Sequence, residues 1–170
     1  KDVGLKSALV PRFPGVTSAL GCVIADVRHD QVLTVNLDLD AFDPAALDER
    51  MVAAGRDARG VVEEAGLSVS RIDVVYEFDM HYLGQTHTIG VPVPVTLGAE
   101  TTGLTRAIVR AAFETAYQKA FSRLLPGIGV RIVSLRTAAI GRRVPFDLGV
   151  LAPEPAASVA AASRGSRQVW

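Results

Sequence analysis

Cysteine is nearly absent from this chain, which has a single one among 170 residues. A single cysteine excludes an internal disulfide framework and is typical of a reducing compartment. An excess of one charge is also absent, because eighteen basic and eighteen acidic side chains give a formal net charge of zero. This balance excludes an overall field that would favour nucleic acid or an anionic membrane surface as a partner. No apolar run reaches the ~20 residues of a membrane-spanning helix.

Local motifs for catalysis and nucleotide binding are lacking too. The sequence has neither a Walker pattern nor a glycine-rich turn between a strand and a helix, the two motifs that hold phosphates. The three histidines (His29, His81 and His87) lack the spacing of a zinc or iron site, so we predict no metal site. The chain begins without an initiator methionine or a signal peptide, and we expect it to be a piece of a longer protein.

The chain does contain enough apolar residues for a core, at 49% of its length. A chain of this size buries ~70% of its unfolded surface. Hydrophobic periodicity predicts helices over residues 16–27, 43–65 and 104–125, and strands over 33–39, 71–82, 87–93 and 130–140. We therefore expect an α+β domain over residues 1–141, with three helices packed on a small mixed or antiparallel sheet that has a central β-hairpin. The alanine-, proline- and serine-rich residues 142–170 are predicted to be a linker towards a missing downstream segment.

The hairpin can be predicted in register. Placing apolar residues opposite one another pairs Phe78 with Val91 and Met80 with Ile89. The same register would pair Tyr82 with His87 and leave residues 84–85 as a two-residue loop, for which a glycine in first position suits a type II′ turn.

A polar stripe follows one face of the predicted strand 71–82. It contains Glu77, Asp79 and His81, and Gln85 follows at the turn. Two interpretations remain open, a surface that contacts substrate or another subunit and an ordinary solvated strand face.

A second polar cluster closes the first predicted helix. Asp26, His29 and Asp30 are spaced i, i+3 and i+4, so an acid on one helix face could orient the imidazole. Such a set can act as a general base, although a hydrogen-bonded helix end is the plainer explanation.

The first predicted helix also has a face of small residues. Ser18, Gly21, Cys22 and Ala25 form this face, which suits close approach of another backbone and predicts a buried, inert Cys22. One hypothesis is therefore that the segment is a non-catalytic interaction module.

Three runs of residues carry a resemblance to a known family. The first is Pro14-Gly15 followed by Thr17-Ser18-Ala19-Leu20-Gly21 and Ala25-Asp26-Val27; the second is Asp79-Met80-His81-Tyr82-Leu83-Gly84-Gln85; the third is Val130 to Arg136. In this order they resemble the C-terminal region of the hydantoinase/oxoprolinase A-subunit family, which includes N-methylhydantoinase A, 5-oxoprolinase and acetone carboxylase-like proteins. His81 stands where the family has arginine, and Ser134 where it has asparagine.

The resemblance implies a cytoplasmic parent protein with an upstream ATPase domain, which uses ATP and Mg and works with a hydantoinase B-type subunit or a fused equivalent. Its implied reaction is the ATP-dependent opening of a cyclic amide such as a hydantoin or 5-oxoproline, with acetone or acetophenone carboxylation as the alternative. The fragment itself is expected to bind no cofactor, to be structural or to form a subunit interface, and to be inactive alone. Its catalytic residues remain unknown, and Asp79, Tyr82, Gln85 and His81 are the candidates for substrate or interface contacts.

Overall fold

The computed structural model describes residues 13–151 continuously and, outside that range, residues 4, 6, 7, 10, 11, 158, 160, 165, 166 and 168. The helices are α1 (Thr17–Ile24), α2 (Pro44–Glu64) and α3 (Arg106–Phe121), and the strands are β1 (Val27–Asp38), β2 (Arg71–Tyr82), β3 (Ile89–Val93) and β4 (Val130–Arg142). The four strands form one antiparallel sheet in the order β1-β4-β2-β3. The predicted α+β fold is confirmed.

The chain divides into two compact units. Residues 26–144, here called the sheet unit, contain the whole sheet with α2 and α3; residues 1–25 and 145–170 form the other unit, which contains α1. The predicted boundary at residue 141 and the linker over residues 142–170 stay predictions. Much of that predicted linker lies outside the described residues.

Within the sheet unit, α2 and α3 pack on the same face of the sheet. The core between them contains alternate residues of β2 (Tyr76, Phe78, Met80 and Tyr82) together with residues of both helices (Leu47, Met51, Val109, Phe113 and Tyr117). These β2 residues are the ones that the alternating sequence pattern placed on a single face. The opposite face of the sheet carries no helix of this unit and is called the open face below.

The predicted hairpin register is confirmed between Phe78 and Val91 and between Met80 and Ile89. The predicted pair of Tyr82 with His87 and the two-residue loop are wrong. The pairing of β2 with β3 ends at Met80 and Ile89, and β3 begins at Ile89. The Tyr82 carbonyl accepts a hydrogen bond from the Gln85 amide at 3.0 Å, which makes a turn over residues 82–85.

Helix α2 begins as its sequence predicts. The Asp43 side chain accepts a hydrogen bond from the Ala45 amide at 3.0 Å, and Pro44 occupies the first turn. Beyond its end, Gly66 adopts a left-handed φ of +65°, which a glycine tolerates at little cost. The predicted face continues through Val62, which is buried, and not through Val61, which is 46% exposed.

Helix α3 also begins at a cap, since the Thr105 hydroxyl accepts a hydrogen bond from the Ile108 amide at 3.2 Å. The prediction extended this helix to residue 125, which is too far. Ser122 adopts a left-handed φ of +57° and ends the helix one residue after Phe121.

The first predicted helix is shorter than its apolar stripe suggested. Helix α1 ends at Ile24, and residues 27–30 belong to β1, where they pair with residues 138–141 of β4. Tertiary pairing with β4 thus overrides the local helical pattern, which is a weak determinant by itself. No residue of α1 is buried in the described chain, and Cys22 is exposed, so its predicted burial is wrong.

Candidate functional site

One polar group on the open face joins two neighbouring strands. The carboxylate of Asp79 on β2 accepts hydrogen bonds from the Ser134 hydroxyl and from Arg136 Nε, both on β4. The two oxygens of Asp79 lie 3.0 and 2.9 Å from that nitrogen. Asp79 is only 9% exposed, whereas the Arg136 side chain is 52% exposed. These three residues are called the Asp79 cluster below.

A β-bulge assembles the Asp79 cluster. Asp79 pairs with Ser134, but the next residue of β2, Met80, pairs with Ile132, so Val133 is an extra residue in β4. Because alternate residues of a strand point to opposite faces, the extra residue moves Ser134 and Arg136 onto the face of Asp79 while Ile132 stays in the core.

The hydrogen bonds of the cluster argue against nucleophilic chemistry by the Ser134 hydroxyl. The hydrogen bond to Asp79, reinforced by its charge, raises the pKa of Arg136. The Asp79 carboxylate is already engaged by Arg136 and by the Ser134 hydroxyl, which makes it a poor base for activating that hydroxyl. The two terminal nitrogens of Arg136 have no partner within the described part of the chain, and such a guanidinium fork matches the oxygens of a carboxylate or a phosphate.

Two further polar residues of the predicted stripe lie on the same face. His81 Nδ1 donates a hydrogen bond to the Tyr82 carbonyl oxygen at 2.8 Å. The Glu77 carboxylate lies over Gly90, where an added Cβ would come within 2.6 Å of Oε1. The predicted stripe Glu77, Asp79 and His81 is therefore a single surface of the folded chain.

The structure separates Tyr82 and Gln85 from that surface. Tyr82 is buried on the helix side, where its ring packs edge-on against Phe113 and Tyr117 at centroid distances of 5.0 and 4.7 Å. Gln85 Nε2 donates a hydrogen bond to the Tyr117 hydroxyl at 2.8 Å, and the Leu125 amide donates to the Tyr82 hydroxyl at 3.2 Å. These contacts fasten the end of α3 to the end of β2.

The predicted helix-end cluster of Asp26, His29 and Asp30 does not exist as such, because His29 and Asp30 lie on β1. Asp30 and Arg28 form an ion pair on the open face, whereas His29 points to the opposite face by the alternation of the strand. Asp26 accepts hydrogen bonds from the Arg143 amide at 3.0 Å and from Arg142 Nη1 at 2.8 Å, and these bonds lower its pKa. An acid that orients an imidazole is therefore not formed here.

Sequence reasoning did not single out Ser134, Arg136 or Arg142 as site residues. Arg142 joins Asp73 and Asp26 by hydrogen bonds of 2.8 Å each, and so links β2 and β4 to the start of β1. A signal for Arg136 was present, since it closes the third run that carries the family resemblance. Its partner could be found only from the strand order and the bulge.

Two searches of the described residues bear on the classes of site. They contain no group of three or more histidine, cysteine, aspartate or glutamate side chains arranged to hold a metal ion. Among the same residues, no helix combines the length and the apolar character needed to cross a membrane.

Caprolactamase of Pseudomonas jessenii is similar to this chain both in sequence and in structure. Caprolactamase subunit alpha of Pseudomonas jessenii is 26% identical over 145 residues, which are 84% of this chain and 20% of that protein. The crystal structure of ATP-dependent caprolactamase from the same organism matches 74% of this chain and 18% of that chain, with a TM-score of 0.61 and 25% identity. The chain thus spans about a fifth of the length of this relative.

Two other proteins are more distant matches. An uncharacterized protein of Methanocaldococcus jannaschii is 28% identical over 92 residues, which are 54% of this chain and 13% of that protein. A nucleotide-free structure of acetone carboxylase matches 81% of this chain and 20% of that chain at 22% identity and a TM-score of 0.48, a level that carries no functional argument. No family model matches the chain.

Proposed function

Because the chain is a member of the hydantoinase/oxoprolinase A-subunit family, we propose that it is part of an ATP-dependent enzyme that opens cyclic amides. The similarity to caprolactamase subunit alpha, over 84% of the chain, is the observation that carries this proposal. Caprolactam is a cyclic amide, as are hydantoins and 5-oxoproline. We propose that the substrate of the parent belongs to this class of cyclic amides.

ATP and Mg would be bound by other parts of the parent protein. The described residues offer no carboxylate cluster for a metal ion, and the sequence has no phosphate-binding loop. We therefore propose that the isolated chain binds no nucleotide and is inactive alone.

The role proposed for this chain is structural and at a subunit interface. The Asp79 cluster supports it, because Asp79 holds Arg136 by Nε and leaves the guanidinium fork directed to the surface. That fork would bind a carboxylate of the upstream ATPase domain or of a hydantoinase B-type subunit, or of its fused equivalent. Glu77 and His81 lie on the same face and would contact the same partner. We further propose a cytoplasmic heteromer.

A substrate panel tests the function of the parent. The full-length protein is co-expressed with its neighbouring B-type subunit, and ATP hydrolysis is followed with caprolactam, hydantoin, 5-oxoproline and acetophenone, each with and without bicarbonate. We expect stimulation by at least one cyclic amide, independent of bicarbonate. Stimulation by acetophenone alone, and only with bicarbonate, would instead identify a carboxylase.

The isolated chain provides the second arm of the test. We expect it to show no nucleotide binding by calorimetry, at concentrations where the full-length protein binds ATP. Nucleotide binding by the isolated chain would contradict the structural role.

A further inference from the structure

The two edges of the sheet are protected very differently. Strand β3 at one edge has five residues, includes Pro92 and is followed by Pro94, and proline blocks the addition of another strand. Strand β1 at the other edge has twelve residues and contains neither proline nor lysine. Long, unprotected edges are uncommon in monomeric proteins because they template pairing with another strand.

The hydrogen bonds of β1 show which of its backbone groups point outwards. Arg50 Nη2 on α2 donates to the Thr34 carbonyl oxygen at 3.3 Å, so that carbonyl points away from β4. Since backbone groups alternate along a strand, those of Arg28, Asp30 and Val32 also point outwards. Asn36, with a φ of +47°, marks a bulge that ends the regular edge. Within the described part of the chain, the edge available for pairing therefore runs from Val27 to Leu33.

Charge along this edge is self-complementary in one register. In an antiparallel pair of two copies symmetric about His29, Arg28 of each copy lies directly opposite Asp30 of the other. A register symmetric about Asp30 would place two aspartates opposite each other, which is unfavourable. Arg28 and Asp30 both have side chains 54% exposed on the open face. In the register symmetric about His29, the charges of Arg28 and Asp30 from the two copies alternate in sign around the two-fold axis.

We propose that a second copy of this chain pairs with β1 in that register. The two four-stranded sheets then form one continuous sheet of eight strands, with the helices of both copies on the same face. Beside the edge, a groove of 260 Å³ lies between β1 and α2, lined in part by Val32, Leu33 and Ala53. Val32 is 58% exposed, and in this register it lies opposite Asp26 of the second copy. The pairing is isologous and closes as a dimer, because each remaining outer edge is a proline-containing β3.

Charge exchange at the edge tests the proposal on the full 170-residue chain. Sedimentation velocity should give a species of about twice the 18.0 kDa chain mass. Asp30→Arg places like charges opposite at both symmetric pairs, as does Arg28→Asp. Each single variant should weaken dimerisation by about tenfold or more, since opposed like charges are destabilising and each pair occurs twice.

Two combinations restore the complementarity and serve as controls. The double variant Arg28→Asp/Asp30→Arg should dimerise like the wild type. An equimolar mixture of the two single variants should form a heterodimer, whereas each single variant by itself should stay largely monomeric. Circular dichroism of each single variant checks that the fold is intact.

Three outcomes would overturn the proposal. One is a wild-type chain that stays monomeric at tens of micromolar. Another is a dimer whose dissociation constant is unchanged by Asp30→Arg and by Arg28→Asp, because its interface would then lie elsewhere on the surface. The third is growth beyond the dimer into filaments, which an isologous pair does not permit.

Discussion

Adding a single methyl group at Gly55 should destabilise the sheet unit strongly. Gly55 lies on α2, and a Cβ built on it would come within 2.2 Å of the Tyr76 hydroxyl oxygen and 3.1 Å of Leu97 Cδ1. Tyr76 is 2% exposed, and its hydroxyl donates a hydrogen bond to the Met51 carbonyl at 2.9 Å. Gly55→Ala therefore forces the tyrosine ring to move and breaks this bond.

The magnitude follows from three contributions. Overpacking a core costs about 1–3 kcal/mol. A buried hydroxyl left without its partner costs about 1–3 kcal/mol. Alanine regains about 1 kcal/mol of helix propensity over glycine. The net loss in the free energy of unfolding should therefore be about 1–5 kcal/mol.

The same helix offers a matched control. A Cβ at Gly60 would have no atom within 4 Å, so Gly60→Ala should stabilise the chain by about 0.5–1 kcal/mol through helix propensity alone. Urea unfolding followed by circular dichroism measures both variants. In a Tyr76→Phe background, which lacks the hydroxyl, Gly55→Ala should cost about 1–2 kcal/mol less. The reasoning would be refuted if Gly55→Ala and Gly60→Ala changed the free energy of unfolding equally. It would also be refuted if Gly55→Ala cost as much in the Tyr76→Phe background as in the wild type.

Two further predictions concern charged groups. Asp48 is buried, which raises its pKa, but hydrogen bonds from Thr101, Thr102 and the Leu104 amide outweigh burial and lower the pKa below 3.8. Its contribution to stability is therefore complete above pH 3.8 and lost as the pH falls through the lowered folded pKa, so Asp48→Asn should flatten the decline in unfolding free energy below about pH 4. For the proposed interface, Arg136→Lys keeps the charge but removes the fork. It should reduce the ATP hydrolysis of the complete complex at limiting B-type subunit by about tenfold, since a lost charge-assisted hydrogen bond costs about 1.5–3 kcal/mol. The control variant Arg59→Lys, in an exposed ion pair on α2, should leave ATP hydrolysis unchanged. Equal activities of the two variants would contradict a contact at Arg136.

Strand alternation and capping residues predicted most of the sheet unit. The alternating apolar residues of β2 predicted its buried face. The register with β3 followed from placing apolar residues of the two strands opposite one another. Asp43 and Pro44 marked the start of α2. Each of these signals is local, which is why one sequence was enough to read them.

Features that depend on distant pairing were not predictable from one sequence. Residues 27–30 continued a helical stripe, and only β4, more than one hundred residues later, draws them into a strand. The Asp79 cluster depends on the bulge at Val133, which has no glycine or proline to mark it. Tyr82 and Gln85 were grouped with Asp79 by motif, although the alternation of β2 places the Tyr82 side chain on the opposite face.

The most direct test of the central claim is the ratio of ADP formed to ring-opened product in the complete complex. The complex of full-length protein and B-type subunit is supplied with ATP and a cyclic amide in buffer free of bicarbonate, and both products are quantified over time. The account predicts that ADP and the ring-opened product rise together, at one for one. ADP formation without ring opening, or a strict need for bicarbonate, would contradict it.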